Sequence, residues 1–592
     1  MKRLNLIFIL ILIVLITLLS RIYFLSIKSN TYYEELSKRN YIKKIYKVPN
    51  RGIIKDRNGV PLAMNKLGFS INLKPHLRSY KKREKLDELI TLINNHFPQY
   101  SKEDLLKEYM KLDSNYKHDF VKIVEFIPYE NFFDKYTIFN SNDDIEIKAE
   151  VKRVYPYGEN ASHIIGYVGK ASKIDIENNE FSRYSDIIGK NGLEKYYNEK
   201  LQGKLGEKIV KVNALNKEIE TLEETEAFTD NDLNISIDIR LQKYIQEIFG
   251  EDSGAVVVMN AKNGEILAAG SYPEFDNNIF VDGISIDEWN KLRNDFNHPF
   301  TNKLINGIYP PGSTIKMGIA LSFLENGIKP NFEVYCSGSM QLGKRNFRCW
   351  KHDGHGRVGF KRAIRESCDD FFYKGSLQVG INKISESLKE YGIGVETGID
   401  LGNEFYATNP NKEWKQEKYR QPWYLGDTIN ASIGQGYMTV TPMQIARYTA
   451  FIATGSLPKP HLAFDAYEAP KEIAYRPSDL KLVQEGMYEV ANNPNGTAYY
   501  HVRESNITLA AKTGTAQVVA IPQEEKKRMK ESELKYYHRS HAWLTGYGPY
   551  KDPQYVVSII VEHGGHGGSA AGHVMSKIFN KLEELGYIKN NK

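Results

Sequence analysis

The longest apolar stretch of the chain lies at its N-terminus. Leu6 to Leu19 contains one polar residue, Thr17, and after Ser20-Arg21 the apolar character resumes through Leu25. Leu4 to Leu25 is 22 residues, and a helix needs about 20 to cross a bilayer core about 30 Å thick. The pattern therefore predicts a membrane anchor, with Arg21 snorkelling towards the interface and Tyr23 in the aromatic belt. No small-x-small site follows the run, which argues against a cleaved signal peptide. Lys2 and Arg3 are the only charges before it, so the N-terminus stays cytoplasmic and everything after residue 27 is sent outside.

Beyond the anchor, Tyr32 to Lys47 is polar and helix-compatible and reads as a stalk. Alternating apolar positions in Arg51 to Gly59 end at Asn58-Gly59, a hairpin signal. Residues 80–140 carry Leu and Tyr at helical spacing among Lys and Glu, and Val151 to Gly169 returns to strand and turn chemistry. The acidic stretch from Leu222 to Asp232 marks the main domain boundary, followed by a strand at Leu233–Asp238 and a helix at Arg240–Phe249. Asn263-Gly264 joins the apolar runs 254–259 and 265–269 as a second hairpin, and further strands are expected near 507–520, 541–549 and 555–562. Strands, a long helical middle and strands again predict an α+β domain whose sheet is assembled from both ends of the segment. The expected division is 1–27 as cytoplasmic stub and transmembrane helix, 28–230 as an elongated non-catalytic pedestal, and 231–592 as the catalytic domain.

Composition narrows the classes of function. At about 150 residues per domain, 592 residues make about three to four domains or fewer large ones. With 41% hydrophobic and 26% charged residues the chain is that of a folded protein, so wholesale disorder is excluded. Lys and Arg total 79 against 73 Asp and Glu, and the net +6 is scattered, which gives no support to nucleic-acid binding.

Candidate chemistry starts at Ser313-Thr314-Ile315-Lys316. Ser-x-x-Lys alone is uninformative, because the chain contains six such tetrapeptides, at Ser79, Ser114, Ser313, Ser456, Ser478 and Ser532. Ser313 differs in context: Pro310-Pro311-Gly312 forms a turn before it, and a nearly all-round apolar helix follows to Asn326-Gly327. Such a helix is buried, yet its first turn presents a serine and a lysine on one face. A lysine made neutral by burial can take the hydroxyl proton. A serine N-cap beside a solvated lysine explains the same segment, so the other residues must decide. Ser367-Cys368-Asp369 lies 54 residues downstream of Ser313, and Lys512-Thr513-Gly514-Thr515 follows an apolar strand 199 residues after it.

Ser-x-x-Lys at a helix start, a Ser-x-Asn/Asp loop and a Lys-Thr-Gly strand, in this order, are the active-site motifs of penicillin-binding proteins and serine β-lactamases. The chain resembles class B penicillin-binding proteins over nearly its whole length. Arg51 to Gly59 and Gly192 to Tyr197 are similar to segments of their pedestal, and Ser432-Ile433-Gly434-Gln435-Gly436 with Thr441-Pro442 is similar to their catalytic domain. Gly354-His355-Gly356 and His563 to Gly568 resemble the elongation-type, penicillin-binding protein 2, branch. Asp369 stands where many relatives carry Asn, a change expected to matter little for the proton chemistry.

The resemblance implies a serine β-lactamase-like fold with an antiparallel sheet flanked by helices, and D,D-transpeptidation of peptidoglycan stem peptides with no cofactor in catalysis. Ser313 would attack the penultimate D-Ala carbonyl, Lys316 would accept its proton, and Ser367, near Lys316 and Lys512, would relay a proton to the leaving D-Ala. Lys512 and Thr513 would hold the terminal carboxylate, with Asp369, Gly514 and Thr515 completing the substrate site. The N–H groups of Ser313 and Thr515 would form the oxyanion hole. Water in place of the acceptor amine would give weak D,D-carboxypeptidase activity. β-Lactams would acylate Ser313 as inhibitors. The implied partner is a membrane glycosyltransferase of the shape, elongation, division and sporulation type, and the implied location is the cytoplasmic (inner) membrane with the catalytic domain outside. A division-type enzyme, a β-lactamase, a β-lactam receptor and a non-enzymatic scaffold are the competing readings. The intact motif set speaks against the scaffold, and the anchor with some 200 residues of pedestal speaks against the β-lactamase.

All three cysteines, Cys336, Cys349 and Cys368, fall within 33 residues, with His355 among them. Three thiolates and one imidazole are a complete tetrahedral set for structural Zn²⁺. A Cys336–Cys349 disulfide or three unrelated buried thiols are the alternatives, and His352 is a reserve ligand. The resemblance adds weight to zinc, since some relatives carry a zinc site in this stretch. A metal bond at Cys368 would pin the loop between Ser367 and Asp369.

Overall fold

A computed structural model of the chain describes residues 2–28, 41–79, 82–116, 118–179, 181–185, 187–213, 218–228, 231–519 and 530–589. The N-terminal apolar run is a helix, Lys2–Tyr23, continued by a π-helical turn at Phe24–Lys28. Its large apolar side chains are exposed along the whole length, and Arg3–Lys28 is long and apolar enough to cross a membrane. A single apolar helix uncovered by protein fits a single-pass anchor.

By its internal contacts the chain forms two compact units. Met1–Gly52, Ala171–Asp186 and Glu199–Asn231 make up one; Ile53–Lys170, Ile187–Asn198 and Asp232–Lys592 make up the other. Residues of the expected pedestal, 28–230, fall in both units.

In the first unit, Ile42–Lys47, Gly206–Val212 and Glu218–Thr225 form an antiparallel sheet. This corrects two expectations. Of the predicted stalk, residues 32–40 lie outside the described residues, and Ile42–Lys47 is a strand. The acidic stretch read as a boundary from Leu222 begins inside another strand, which is exposed throughout. Both strands are polar, and cross-strand pairs such as Lys44–Glu207 at 2.6 Å and Lys211–Glu220 at 2.7 Å match their charges. No apolar alternation announces them, because neither covers a large core.

In the second unit the hairpin predicted at Asn58-Gly59 is present, joining Ile54–Lys55 to the 13-residue strand Pro61–Leu73. Helices Arg83–His96 and Lys102–Leu112 follow the predicted spacing: Leu86, Leu89, Ile90 and Ile93 enter one core with Phe132 and Phe139. Ser101 caps the second helix, accepting from the Asp104 N–H at 3.1 Å. The helical expectation fails at Val121–Pro128, a strand paired with Pro61–Leu73. Val121 and Ile123 are buried there while Lys122 between them is exposed, a period-two pattern embedded in helix-like composition.

The catalytic sheet is five-stranded and antiparallel, in the order Ile266–Tyr272, Gly254–Asn260, Tyr555–Val561, His541–Gly548, Ala510–Ala516. Both ends of the segment build it, as predicted. Tyr555–Val561 is buried at every position, as a central strand covered on both faces requires. Helices Ile239–Phe249, Pro442–Thr454 and Gly567–Glu584 pack on the sheet. Ala510–Ala516, which carries Lys512 to Thr515, is an edge strand, so one side of its backbone is open for pairing. The predicted strand at Leu233–Asp238 shortens to Leu233–Asn234.

Candidate active site and thiol cluster

Gly312–Ile315 forms a 3-10 turn that delivers Ser313 to the start of helix Lys316–Glu325, whose residues Lys316 to Leu324 are all buried. Two glycines let three backbone segments meet there. Gly312 has φ +53° and a Cβ on it would lie 2.7 Å from the Thr515 carbonyl oxygen. Gly434 has φ +71° and a Cβ on it would lie 2.2 Å from the Gly312 oxygen. The Gly312 N–H donates to the Gly434 oxygen at 3.0 Å, and Gln435 Nε2 donates to the Thr515 oxygen at 3.3 Å. The segment 432–436 therefore buttresses the nucleophile turn against the edge strand.

Ser313, Ser367, Asp369, Thr513, Gly514 and Thr515 line one cleft of about 1400 Å³, and the Nζ atoms of Lys316 and Lys512 meet at the Ser367 hydroxyl. Ser367 sits in the left-handed region at φ +53°, a conformation that non-glycine residues hold mainly where the surroundings impose it. Its hydroxyl lies 2.9 Å from Lys512 Nζ and 3.4 Å from Lys316 Nζ. Lys316 Nζ also donates to the Ser367 carbonyl at 3.0 Å and lies 5.2 Å from the Phe372 ring centre. Thr513 Oγ1 pairs with Thr497 Oγ1 at 2.7 Å.

Asp369 needs correction. Its Oδ1 accepts from Lys316 Nζ at 2.7 Å and its Oδ2 from the Trp350 N–H at 2.9 Å. Each oxygen accepts from the protein, so the carboxylate positions Lys316 as well as lining the cleft, and its identity bears directly on the lysine, more than expected of Asp in place of Asn. Burial pushes the Asp369 carboxyl up, and Lys316 opposes this. Burial, reinforced by the charge of Lys316, holds Lys512 well below the ordinary lysine range. Among the described contacts no hydrogen bond joins Ser313 to Lys316, a separation expected of a resting site that tightens on substrate. Thr497 carried no signal in the sequence, whereas Asp369 belonged to the Ser-x-Asn/Asp motif but its partner Lys316 was hidden.

Beneath the same loop, Cys336, Cys349, His355 and Cys368 are all buried and their ligand atoms lie within 4.8 Å of one another. The three thiols are free, so no Cys336–Cys349 disulfide is formed. His355 Nδ1 is 3.6 Å from Cys336 Sγ and 3.5 Å from Cys349 Sγ. A tetrahedral zinc with Zn–S about 2.3 Å and Zn–N about 2.0–2.1 Å has S···N edges of about 3.5–3.6 Å, so the donor set fits that ion. A hydrogen bond from Cys368 and, against burial, another from His355 push the Cys349 thiol down, while the same pairing together with burial pushes Cys368 up and burial pushes Cys336 up. His352 is not part of the cluster: it is exposed and turned to Asp353 at 3.3 Å.

The sequence matches two family descriptions, "Penicillin binding protein transpeptidase domain" over residues 254–583 and "Penicillin-binding Protein dimerisation domain" over residues 46–235. It is 35% identical over 590 residues to the Escherichia coli K12 protein "Peptidoglycan D,D-transpeptidase MrdA", covering 95% of this chain and 91% of that one. The Haemophilus influenzae protein of the same name is 36% identical, with 95% and 88% covered. Among solved structures, the Helicobacter pylori penicillin-binding protein PBP2 in complex with MreC is similar at a TM-score of 0.84 and 45% identity, covering 93% of this chain and 100% of that one. Pseudomonas aeruginosa PBP2 in complex with WCK 5153 is similar at 0.69 and 28%, with 93% and 98% covered.

Proposed function

The chain belongs to the class B penicillin-binding proteins, in the company of the penicillin-binding protein 2 transpeptidases, and on that footing we propose the following assignment of roles in peptidoglycan cross-linking during cell elongation. The observation that carries it is the convergence of Ser313, Ser367 and Thr513 in one cleft, with both lysines hydrogen-bonded to Ser367.

Ser313 Oγ attacks the carbonyl of the penultimate D-Ala while Lys316 accepts its proton. The N–H groups of Ser313 and Thr515, held together by the glycines at 312 and 434, receive the oxyanion; one such donor contributes about 2.7–4 kcal/mol in related chemistry. The Ser367 hydroxyl, hydrogen-bonded to both lysines, takes a proton from the now protonated Lys316 as it passes its own to the departing D-Ala nitrogen, which leaves Lys316 neutral again. An acceptor amine then attacks the acyl carbon, the ester bond to Ser313 breaks and the proton returns to Oγ. Thr513 and Lys512 serve the terminal carboxylate of the donor, Gly514 and Thr515 pair with its backbone along the open edge, and Asp369 fixes Lys316. Zn²⁺ would be held by Cys336, Cys349, His355 and Cys368 in a closed, purely structural site that pins the Ser367 loop.

The helix Arg3–Lys28 would anchor the chain in the cytoplasmic membrane, with Lys2 and Arg3 inside and the catalytic domain outside. The similarity at TM-score 0.72 and 25% identity to a structure described as coordinating polymerization and crosslinking in a peptidoglycan synthase complex supports assembly with a polymerising membrane glycosyltransferase, and the relative solved in complex with MreC supports a partner of that kind as well. Labelling of the full chain by a fluorescent penicillin tests the enzymatic reading: a stable label confined to wild type and lost in Ser313→Ala supports it, and rapid turnover of the label identifies a β-lactamase instead. Depletion in cells tests the elongation role, since rounding fits elongation and filamentation fits division.

A further inference from the structure

Thr513 is assigned above to the terminal carboxylate of the donor, and what its hydroxyl does for an anion depends on where its one proton points. A hydroxyl offers one O–H and two lone pairs. Turned towards a carboxylate the proton attracts it; turned away, oxygen faces oxygen. A side chain that fixes this rotor therefore decides whether Thr513 can serve.

One side chain is in place to do so. Thr497 Oγ1 lies 2.7 Å from Thr513 Oγ1, and both residues line the cleft. Among the described contacts this is the only hydrogen bond of either hydroxyl. The backbone around Thr497 is held from three sides. Helix Pro477–Asn492 ends just before it, the Gly496 N–H donates to the Asn493 oxygen at 2.7 Å, and the Ala498 N–H returns to the Val490 oxygen at 3.1 Å. A Cβ on Gly496 would stand 2.3 Å from that Val490 oxygen, so the turn closes this tightly only with glycine there. The Thr497 N–H donates to the Arg365 oxygen at 3.3 Å, and its own oxygen lies 2.9 Å from the place a Cβ on Gly568 would take. Thr513 is fixed in turn by its ladder position opposite Leu544. The contact thus joins two anchored backbones.

Within the pair one hydroxyl gives and the other receives. If Thr513 gave, its proton would be spent on Thr497 and only lone pairs would be left for the substrate. If Thr497 gives, the Thr513 proton is free for the cleft, and accepting a bond makes that O–H a better donor. A carboxylate in the cleft selects the second arrangement.

We propose that Thr497 is a positioning residue for donor recognition: its hydroxyl donates to Thr513 Oγ1 and commits the Thr513 proton to the terminal carboxylate of the donor peptide. It acts through Thr513 and contributes no reacting atom. The proposal rests on the reading of Thr513 given above.

The test is the second-order rate of acylation of the full chain by benzylpenicillin and by its methyl ester, each in competition with a fluorescent penicillin. The penicillin carboxylate stands in for the terminal carboxylate of the peptide, and the ester keeps the ring system without the charge. Wild type should favour the acid by roughly ten- to hundredfold, the range of a hydrogen bond to a charged group. Thr497→Val, similar in shape, should cut that ratio roughly three- to tenfold, whereas Thr497→Ser, which keeps the hydroxyl, should hold it within about twofold of wild type. Thr513→Val should lower the ratio as well, and adding Thr497→Val to it should change nothing more. Being a ratio, the readout is indifferent to any general loss of activity or of folded protein. An undiminished ratio in Thr497→Val overturns the proposal, as does a ratio in Thr497→Ser as low as in the valine variant, or effects of the two valines that multiply. No wild-type preference for the acid, or an unchanged ratio in Thr513→Val, overturns the reading of Thr513 and the proposal with it.

Discussion

Two buried polar clusters share the three residues Ser367, Cys368 and Asp369 and are opposite in kind. Around Ser367 the polar groups answer one another: Lys316 Nζ has the Asp369 carboxyl at 2.7 Å, and the Ser367 hydroxyl lies between it and Lys512. Around Cys368 the groups are three thiols and an imidazole, whose four ligand atoms lie within 4.8 Å of one another. Burying a charge is costly unless it is paired. The first cluster meets that cost within the protein; the second, as the zinc site proposed above, would meet it through the ion and, closed by four ligands, would have no open position for chemistry. The lesson is one of division of labour across a peptide. The left-handed Ser367 at φ +53° is held between a rigid side and a reactive side.

The comparison breaks most sharply at the nucleophile. Ser313→Ala should abolish penicillin acylation, a loss on the order of 10⁴-fold or more. Its Tm should move little, because among the described contacts the Ser313 side chain makes no hydrogen bond; a labelled alanine variant would remove Ser313 from the mechanism.

Next comes the proton acceptor. Lys316→Arg keeps a cation for Asp369 but stays protonated, so the protein should fold while acylation drops by roughly 10²–10⁴-fold. Ordinary acylation rates in that variant would take the base role away from Lys316.

On the other side of the loop, purified protein should contain near one zinc per chain. His355→Ala should lower stability by about 3 kcal/mol, in the range seen when a buried charged partner is lost, and should lower acylation with it through the Ser367 loop. Less than about 0.2 zinc per chain, prepared without chelator, where a closed site requires near one, would refute the structural ion.

The smallest effect sharpens the contrast from the protonic side. Lys512 has a folded-state pKa below its unfolded value because of burial and the neighbouring Lys316. Between those two values the unfolded chain binds more protons, so the contribution of Lys512 makes the protein more stable as pH rises through that window. Lys512→Met should abolish catalysis yet raise stability at neutral pH by about 1–2 kcal/mol, and flatten this pH dependence. Denaturant unfolding at several pH values measures it, and a variant less stable than wild type at neutral pH would contradict the assigned cost.

Local patterns carried most of the outline. The apolar helix after Ser313, the hairpins at Asn58-Gly59 and Asn263-Gly264, and the sheet built from both ends of the catalytic segment follow from periodicity and turn chemistry over a few residues. The clustering of three cysteines and His355 was legible as well, because it is a matter of spacing. Tertiary structure alone decided the rest. Ile42–Lys47 became a strand only by meeting Gly206–Val212, and Val121–Pro128 only by meeting Pro61–Leu73; β pairing is non-local, and neither segment declares its partner. The expected pedestal divided between two units because compactness depends on contacts distant in sequence. That Asp369 meets Lys316, 53 residues away, was decided by the fold, and His352 and His355 were told apart only by which one the fold buried. Residue type and order set what chemistry the chain can do, whereas which charge neutralises which is a question of distance in a low-dielectric interior, settled only when the chain has folded.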